Sequence, residues 1–429
     1  MADPHPPRSG RLSEWLDHLS NLHPQTIALG LERVQAVLRH LATPLEAVVL
    51  TVGGTNGKGS TCAMLESTLR AAGLRVGLYT SPHLLTYNER VRVDAQPASD
   101  AELCEAFVAV EAARRGIALT YFEFGTLAAV WHFARHRVDV AILEVGLGGR
   151  LDAVNAFDAD CAIVTSVDLD HTDYLGSTRE AIAREKAGIF RAGKPAICGE
   201  RDLPEIARDY ARSLGTPLHQ LGRDFDVAAT ATSWSYWSPW GHRSDLPLPA
   251  LPGACQLGNA ACCLAALDSL RSRLPVTEEA IRTGLARASL PGRFQVLGGR
   301  PQTILDVAHN PHAARALAAN LAARPFAGRT IAVFAMLADK DIEEVAGTLS
   351  PLVDRWMAAG LGEPRGASAE ELRRRLSGLP ADAVSVYPGV ELAYRRALAL
   401  AGENDRILVF GSFHTVAAVL RLWVDERSE

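Results

Sequence analysis

What this chain has little of narrows it first. No apolar run approaches the ~20 residues needed to span a bilayer, so no membrane-crossing segment is expected. The opening residues, Met1 to Gly10, are polar and proline-bearing and lack the apolar core of an export signal, which points to the cytoplasm. Cysteines number only 7, show no CxxC spacing and include the adjacent Cys262 and Cys263. That usage suits buried reduced thiols and argues against a disulfide framework or a zinc site. An excess of one charge is also missing. The formal net charge of −5 gives no global pull toward nucleic acid or an anionic membrane surface, so neither is expected as a partner. Any anionic substrate must be met by local basic groups or metal ions. Aromatic residues make up 6% of the chain, and where they cluster, at Trp234, Tyr236, Trp237 and Trp240, no basic residues interleave. They read as local packing and not as a base-stacking platform.

Apolar residues, by contrast, are ample at 48% of a 429-residue chain, enough to bury cores in two or three domains. The most informative stretch runs from Thr51 to Ser60, TVGGTNGKGS, between the apolar run Val48-Val49-Leu50 and a helix-like segment. Glycines let successive backbone N–H groups turn inward on an anion. A lysine reaches the outer phosphates, and the helix that follows points its positive end at them. The stretch departs from the GxxxxGK[ST] pattern, because no glycine stands at the required distance before Lys58 and Gly59 follows it in place of a hydroxyl. A glycine-rich strand-to-helix turn of geometric purpose alone therefore stays open at this point.

The organisation supports a phosphate site. An opening helix is expected around Ser13 to Leu22, then an amphipathic one with Leu31, Val34, Leu38 and Leu41 on one face. The helix after the glycine loop should end with Gly73 at C′, and Val76 to Thr80 reads as the next parallel strand, followed by Ser81. Two buried-strand patterns follow, Val138 to Leu143 ending on Glu144, and Cys161 to Ser166 with His171 shortly after. A parallel sheet delivers all these strand ends to one edge, where ligands gather. Ser177 and Glu180 have the spacing of a capping box for a helix that carries Lys186 and ends near Gly188. Residues 226–251 suggest a small β excursion, and Leu290-Pro291-Gly292-Arg293 a hinge. Beyond it, strand candidates Thr303–Leu305, Thr330–Phe334 and Arg406–Phe410 alternate with alanine-rich helices. The expectation is thus an α/β protein with a P-loop ATPase domain over residues 1–290, built on a parallel sheet, and a smaller Rossmann-like α/β domain over 291–429.

Several strings then carry a resemblance: GTNGKGS (Gly54 to Ser60), TSPHL (Thr80 to Leu84) with NERVRV (Asn88 to Val93), YFEFGT (Tyr121 to Thr126) and EVGLGGRLD (Glu144 to Asp152). They are followed by LDHTDYLG (Leu169 to Gly176), EKAGIF (Glu185 to Phe190), PGRF (Pro291 to Phe294) and DVAHNP (Asp306 to Pro311). In this order, from end to end, the chain resembles the folylpolyglutamate synthases of the Mur ligase superfamily, and within them the bacterial bifunctional dihydrofolate synthase type. The resemblance implies a Mur-ligase-type fold and ATP-driven amide bond formation. A carboxylate attacks the γ-phosphate, and the amine of an incoming amino acid displaces phosphate from the acyl phosphate. Anion must meet anion, so concentrated positive charge is needed, and a pair of magnesium ions is expected to supply it.

The resemblance also implies roles. Lys58 and the backbone of Thr55, Asn56 and Gly57, continuing through Gly59 and Ser60, would cradle the triphosphate, with Lys58 counted as catalytic. Ser81, Glu144 and His171 would hold metal, and Lys186 would carry a carbamate that joins them. Asn259 would lie near adenine, and Arg293, Asp306 and the catalytic His309 would serve the nucleotide from the domain junction. Gln25, Thr26, Ile27, Ala28, Thr120, Tyr121, Phe122, Glu123, Leu151, Asp152 and Ala153 would form the pterin site. Read singly, several of these residues have plainer meanings: His171 as a loop or core histidine, Lys186 as a helix-surface lysine, Phe122 as core, Asp152 as a helix cap. The implied small-molecule partners are dihydropteroate, tetrahydrofolate and L-glutamate, bound by a monomer. The rival readings are a monofunctional folylpolyglutamate synthase, another Mur-type amino acid ligase and a nucleotide-dependent switch without synthetic chemistry. The first is separated from the bifunctional type by its acceptors, the second lacks GKG after the loop asparagine, and no NKxD-like guanine reader stands in a suitable place.

Overall fold

The computed structural model describes residues 7, 10–25, 27–41, 44–324 and 326–428. The chain forms two compact units, one of residues 1–250 and 257–289, the other of residues 251–256 and 290–429.

The first unit opens with helices α1 (Leu12–Asn21) and α2 (Glu32–Leu41). The buried face of α2 is Val34, Val37 and Leu41, while Leu38 is half-buried. Then come β1 (Val48–Gly53), α3 (Lys58–Ala71), β2 (Val76–Tyr79), β3 (Val91–Val93), β4 (Gln96–Pro97), α4 (Asp100–Arg114), α5 (Tyr121–Arg135) and β5 (Val140–Glu144). The chain continues through β6 (Cys161–Val164), α6 (Thr172–Leu175), α7 (Arg179–Ala187), β7 (Ala196–Cys198), α8 (Glu205–Leu214) and β8 (Leu218–Gln220). These strands make one eight-stranded sheet, ordered β4-β3-β2-β5-β1-β6-β7-β8 and parallel except at the β3 and β4 edge. Such strands are covered on both faces, which is why β1, β2, β5 and β6 are continuous apolar runs, every residue of them buried. Register is what places the site. Val52 pairs with Glu144, Tyr79 with Leu143, and Gly53 with Val164, so four neighbouring strands stop at one level. The segments after them leave the sheet on one edge.

Local chemistry fixes the helix ends. Gly73, with φ of 83°, supplies the left-handed residue after the C-cap of α3. Ser99 and Thr120 open α4 and α5 with capping boxes, closed by Glu102 and Glu123. The box expected from Ser177 and Glu180 is displaced by one residue. Thr178 is the N-cap of α7 and its hydroxyl accepts from the Ala181 N–H at 3.2 Å, which leaves Glu180 one position short of closing a box. The excursion is a three-stranded antiparallel sheet of β9 (Asp226–Ala229), β10 (Ser233–Ser238) and β11 (Gly241–Pro247). Trp234 and Tyr236 are buried in it while Trp237 is exposed. Helices α9 (Cys255–Ser269) and α10 (Glu278–Arg287) follow.

In the second unit, the antiparallel strand β12 (Gln295–Leu297) edges a parallel sheet of β13 (Gln302–Leu305), β14 (Thr330–Phe334), β15 (Arg355–Ala359), β16 (Val384–Tyr387) and β17 (Arg406–Phe410). Its order is β12-β13-β17-β14-β15-β16, and helices α11 (Pro311–Ala322), α12 (Ile342–Leu349), α13 (Ala369–Arg375), α14 (Val390–Leu400) and α15 (Phe413–Ser428) connect or follow the strands. Phe334, Trp356 and Phe410 cluster in its core, with Phe334 and Trp356 edge to face and Phe410 tilted against both.

One close approach offers a test of the packing. Gly284 on α10 lies against Thr68 of α3, and a Cβ there would overlap the Thr68 backbone. Gly284→Val should cost about 1–3 kcal/mol of stability by forcing the two helices apart, read as a lower midpoint in chemical denaturation. An unchanged midpoint would mean that the helices do not meet this closely.

Candidate active site

The glycine loop spans the gap between β1 and α3. Gly57 has φ of 86° and is the N-cap of α3, a conformation that glycine adopts without strain. A side chain there would also run into the Asn259 carboxamide, so Asn259, expected near adenine, presses its amide on the phosphate turn. The loop is held by the segment after β6. The N–H of Thr55 donates to the Ser166 carbonyl at 2.9 Å, and that of Asn56 to Ser166 Oγ at 2.9 Å. Thr165 Oγ1 and Ser166 Oγ both donate to the Asn56 carbonyl, at 2.6 and 3.0 Å. Thr55 Oγ1 and the backbone of Asp168 exchange two bonds of 3.0 Å. The amides of Thr55 and Asn56 thus brace the loop against the segment after β6. The anion-facing donors are left to Gly57 and the first turn of α3, Lys58 to Ser60, where a helix has N–H groups without intrahelical acceptors. Lys58 Nζ folds over the loop, donating to the carbonyls of Gly54 at 3.1 Å and Thr55 at 3.3 Å.

Next to it on the same edge, the Ser81 N–H after β2 donates to Glu144 Oε2 at the end of β5, at 3.1 Å, and Glu144 is buried. His171 leaves the β6 edge in a left-handed conformation, φ 51°, with Nε2 4.0 Å from the Asp170 carboxylate. A hydroxyl, a carboxylate and an imidazole on one strand-end edge suit a divalent cation, the carboxylate and hydroxyl matching magnesium and the imidazole adding selectivity.

Lys186 is not a surface lysine. It is 4% exposed, and burial, aided by the nearby Lys58 ammonium and opposed by Asp170, pulls its pKa down to about 7. The position is built by close backbone approach. A Cβ at Gly149 would strike the carbonyls of Glu185 and Lys186, and one at Gly188 would strike Arg150. The Arg150 N–H donates to the Glu185 carbonyl at 2.8 Å, and Asn155 Nδ2 to that of Gly188 at 3.1 Å. The glycine-rich string after Glu144 thus clasps the end of α7.

The three segments expected to bind a pterin converge through residues that the sequence did not single out. Arg33 donates to the Ala28 carbonyl at 2.6 Å and grips the Glu123 carboxylate at 2.8 to 3.1 Å. Gly30 N–H donates to the Leu151 carbonyl at 3.2 Å. Glu123 also closes the box with Thr120, so its role is positional. Phe122 lies on Gly146, with its ring 5.7 Å from that of Tyr79. Tyr121 stands under the Arg90 guanidinium, 5.5 Å away. Asp152 does cap the short 3₁₀ turn Ala153–Ala156, accepting from Val154 and Leu147, while burial raises its pKa to about 7. Gln25 is exposed, with its N–H on His23 Nδ1 at 3.0 Å; Ile27 is half-buried, and Thr26 lies outside the described residues.

In the second unit, Asp306 accepts from the N–H groups of Phe294 at 2.9 Å and Ala308 at 2.8 Å, and burial raises its pKa against the pull of Arg293. The Arg293 guanidinium lies over the Phe413 ring at 5.2 Å, and the His309 ring lies 6.2 Å from the same ring. His309 Nδ1 meets the Val307 carbonyl at 2.9 Å, and Asn310 with Pro311 opens α11. The two strings PGRF and DVAHNP are thereby one substructure.

A glycine turn, a buried lysine beside a second lysine and a carboxylate at the end of a parallel strand define a nucleotide-using enzyme of the P-loop type, followed by an α/β unit. The Mur ligase middle domain family matches residues 52–267, and the Mur ligase glutamate ligase domain family matches 292–413. The chain is 49% identical to the dihydrofolate synthase/folylpolyglutamate synthase of Escherichia coli, covering 98% of this chain and 97% of that one. A solved structure of Escherichia coli FolC in complex with DHPP and ADP superposes with a TM-score of 0.94 at 48% identity, over 99% and 100% of the two chains. A bifunctional enzyme of this kind with Mn, AMPPNP and L-glutamate bound gives a TM-score of 0.89 at 48% identity, over 96% of this chain and 98% of that one. The chain belongs to the dihydrofolate synthase/folylpolyglutamate synthase family of Mur ligases and is an ATP-dependent ligase that forms carbon–nitrogen bonds.

The Lys186 environment makes a pH-dependent prediction. Its native pKa of about 7 is below the ordinary value of 10.5, so between those values the unfolded chain binds more protons and this group's contribution to stability grows as pH rises. In carbon dioxide-free buffer Lys186→Met should therefore be more stable than wild type near pH 7, with the gap closing toward pH 10. A constant gap would place Lys186 in solvent.

Proposed function

We propose that this ligase joins L-glutamate to dihydropteroate, giving dihydrofolate, and to tetrahydrofolates, extending their glutamate chains. The observation that carries the reading is the pairing of Lys58 with the buried Lys186 on the edge where Ser81 and Glu144 meet. Both reactants are anionic there, and a carboxylate attacks the γ-phosphate only where positive charge is already fixed.

In this reading Lys58 leaves the loop carbonyls for the outer phosphates, and the first turn of α3 holds the phosphate oxygens. Ser81, Glu144 and His171 would hold magnesium, whose bound charge neutralises the phosphate oxygens. With a pKa near 7 a substantial fraction of the Lys186 amine is neutral at physiological pH and able to react with carbon dioxide, so Lys186 is the residue proposed to become a carbamate; the same group, once negative, can contribute to a second ion site. Arg293, Asp306 and His309 are proposed as nucleotide-contact residues of the second unit. The acceptor's pterin is assigned to the pocket that Arg33 ties together, with Phe122 lining the ring and Asp152, whose raised pKa allows it to donate as well as accept, hydrogen-bonding it. The 1–290 and 291–429 division, expected from the hinge at Leu290 to Arg293, a cytoplasmic location, expected from the polar opening residues, and action as a monomer, which rests on the family resemblance, belong to the same proposal.

Release of ADP tests it. Turnover is expected with dihydropteroate plus glutamate and with tetrahydrofolate plus glutamate. Activity with the second pair alone would reduce the enzyme to polyglutamylation, and activity with neither would refute the assignment. Lys186→Ala should abolish turnover and be partly rescued by added short carboxylates; wild-type rates in that variant would remove the carbamate role.

A further inference from the structure

We propose that Glu102, His132 and His136 form a transition-metal site of the zinc type, separate from the catalytic edge and joining the start of α4 to the end of α5. Among the described residues this is the grouping of three histidine or carboxylate side chains whose ligand atoms all lie within 4.8 Å of one another. The spacing explains how it arises. His132 lies in the last turn of α5 and His136, four residues on, is its C-cap, so the two rings meet with centroids 4.2 Å apart. Glu102 comes from the first turn of α4, and its Oε1 is 3.4 Å from His136 Nε2.

The donors are set for coordination. Ser99 donates both its N–H and its hydroxyl to Glu102 Oε2, at 2.8 and 2.7 Å, so one carboxylate oxygen is fixed by the cap and the other faces the histidines. Two imidazoles and one carboxylate are the ligand set of a zinc site with one position open, and they are unsuited to magnesium. The opposing group is Arg75, whose guanidinium meets His136 Nδ1 at 3.3 Å. It is half-exposed and 3.9 Å from Asp94, so it can turn to that carboxylate when His136 shifts its ring proton to Nδ1 and coordinates through Nε2. A bound ion would pin α4 to α5, the helix that begins with Thr120 and Phe122 at its other end.

The experiment uses tag-free full-length protein dialysed against micromolar zinc in excess magnesium, with bound zinc counted by mass spectrometry. One zinc per chain should be lost in His136→Ala and in Glu102→Gln, both positions part-exposed, with circular dichroism confirming that each variant keeps the fold. The zinc should remain in His171→Ala, which separates this site from the catalytic one. Equal zinc content in wild type and His136→Ala, or no zinc on the wild type, would overturn the proposal. Ligase turnover is not needed for the readout, so loss of the proposed reaction would leave this result standing.

Discussion

The common level at which β2, β5, β1 and β6 stop is the constraint from which the active edge follows. Because Val52, Glu144, Tyr79 and Gly53 are locked in parallel register, Ser81, Glu144, the glycine turn and the Asp168 to His171 segment are delivered together without any one of them being placed separately. Side chains that are far apart in sequence are then coupled by a few short bonds. Ser166 holds both Thr55 and Asn56, and Ser81 holds Glu144. A one-residue slip in any of these strands would turn its side chains to the opposite face of the sheet.

On that edge the cost of concentrating like charges is met by backbone shape. Burial, aided by repulsion from Lys58, makes Lys186 give up its proton more readily than an exposed lysine. Lys186 can be held there because Gly149 and Gly188 let two backbones touch while Arg150 and Asn155 cap the carbonyls at the end of α7. Function and backbone packing are joined in this arrangement: Gly149 and Gly188, which read as part of a motif, allow the close approach at the end of the helix that carries the buried amine.

Much of the fold was legible because buried parallel strands are apolar throughout and are punctuated by glycine. The β1 loop, Gly73, Glu144 and the second unit's β13, β14 and β17 all follow from that signal. Lys186 was legible only through resemblance, since its helix has no strong apolar stripe and nothing local says that it is buried. Arg33 was missed because an arginine between apolar helix positions looks like a solvated face until its partner, Glu123, is brought across from α5. The bracing of the Thr55 and Asn56 amides was hidden for a related reason: their acceptors sit after β6, and glycine-loop chemistry alone does not reveal them. At Ser177 and Thr178 two adjacent hydroxyl residues compete for one cap, a choice that local spacing leaves undecided.

The central claim is that divalent cations gathered at this edge let carboxylate meet triphosphate. Anomalous diffraction from crystals grown with manganese and a non-hydrolysable ATP analogue tests it most directly. The account predicts a manganese peak coordinated by Ser81 Oγ, the Glu144 carboxylate and His171. A peak bound only by water and phosphate, with those three side chains turned away, would contradict it.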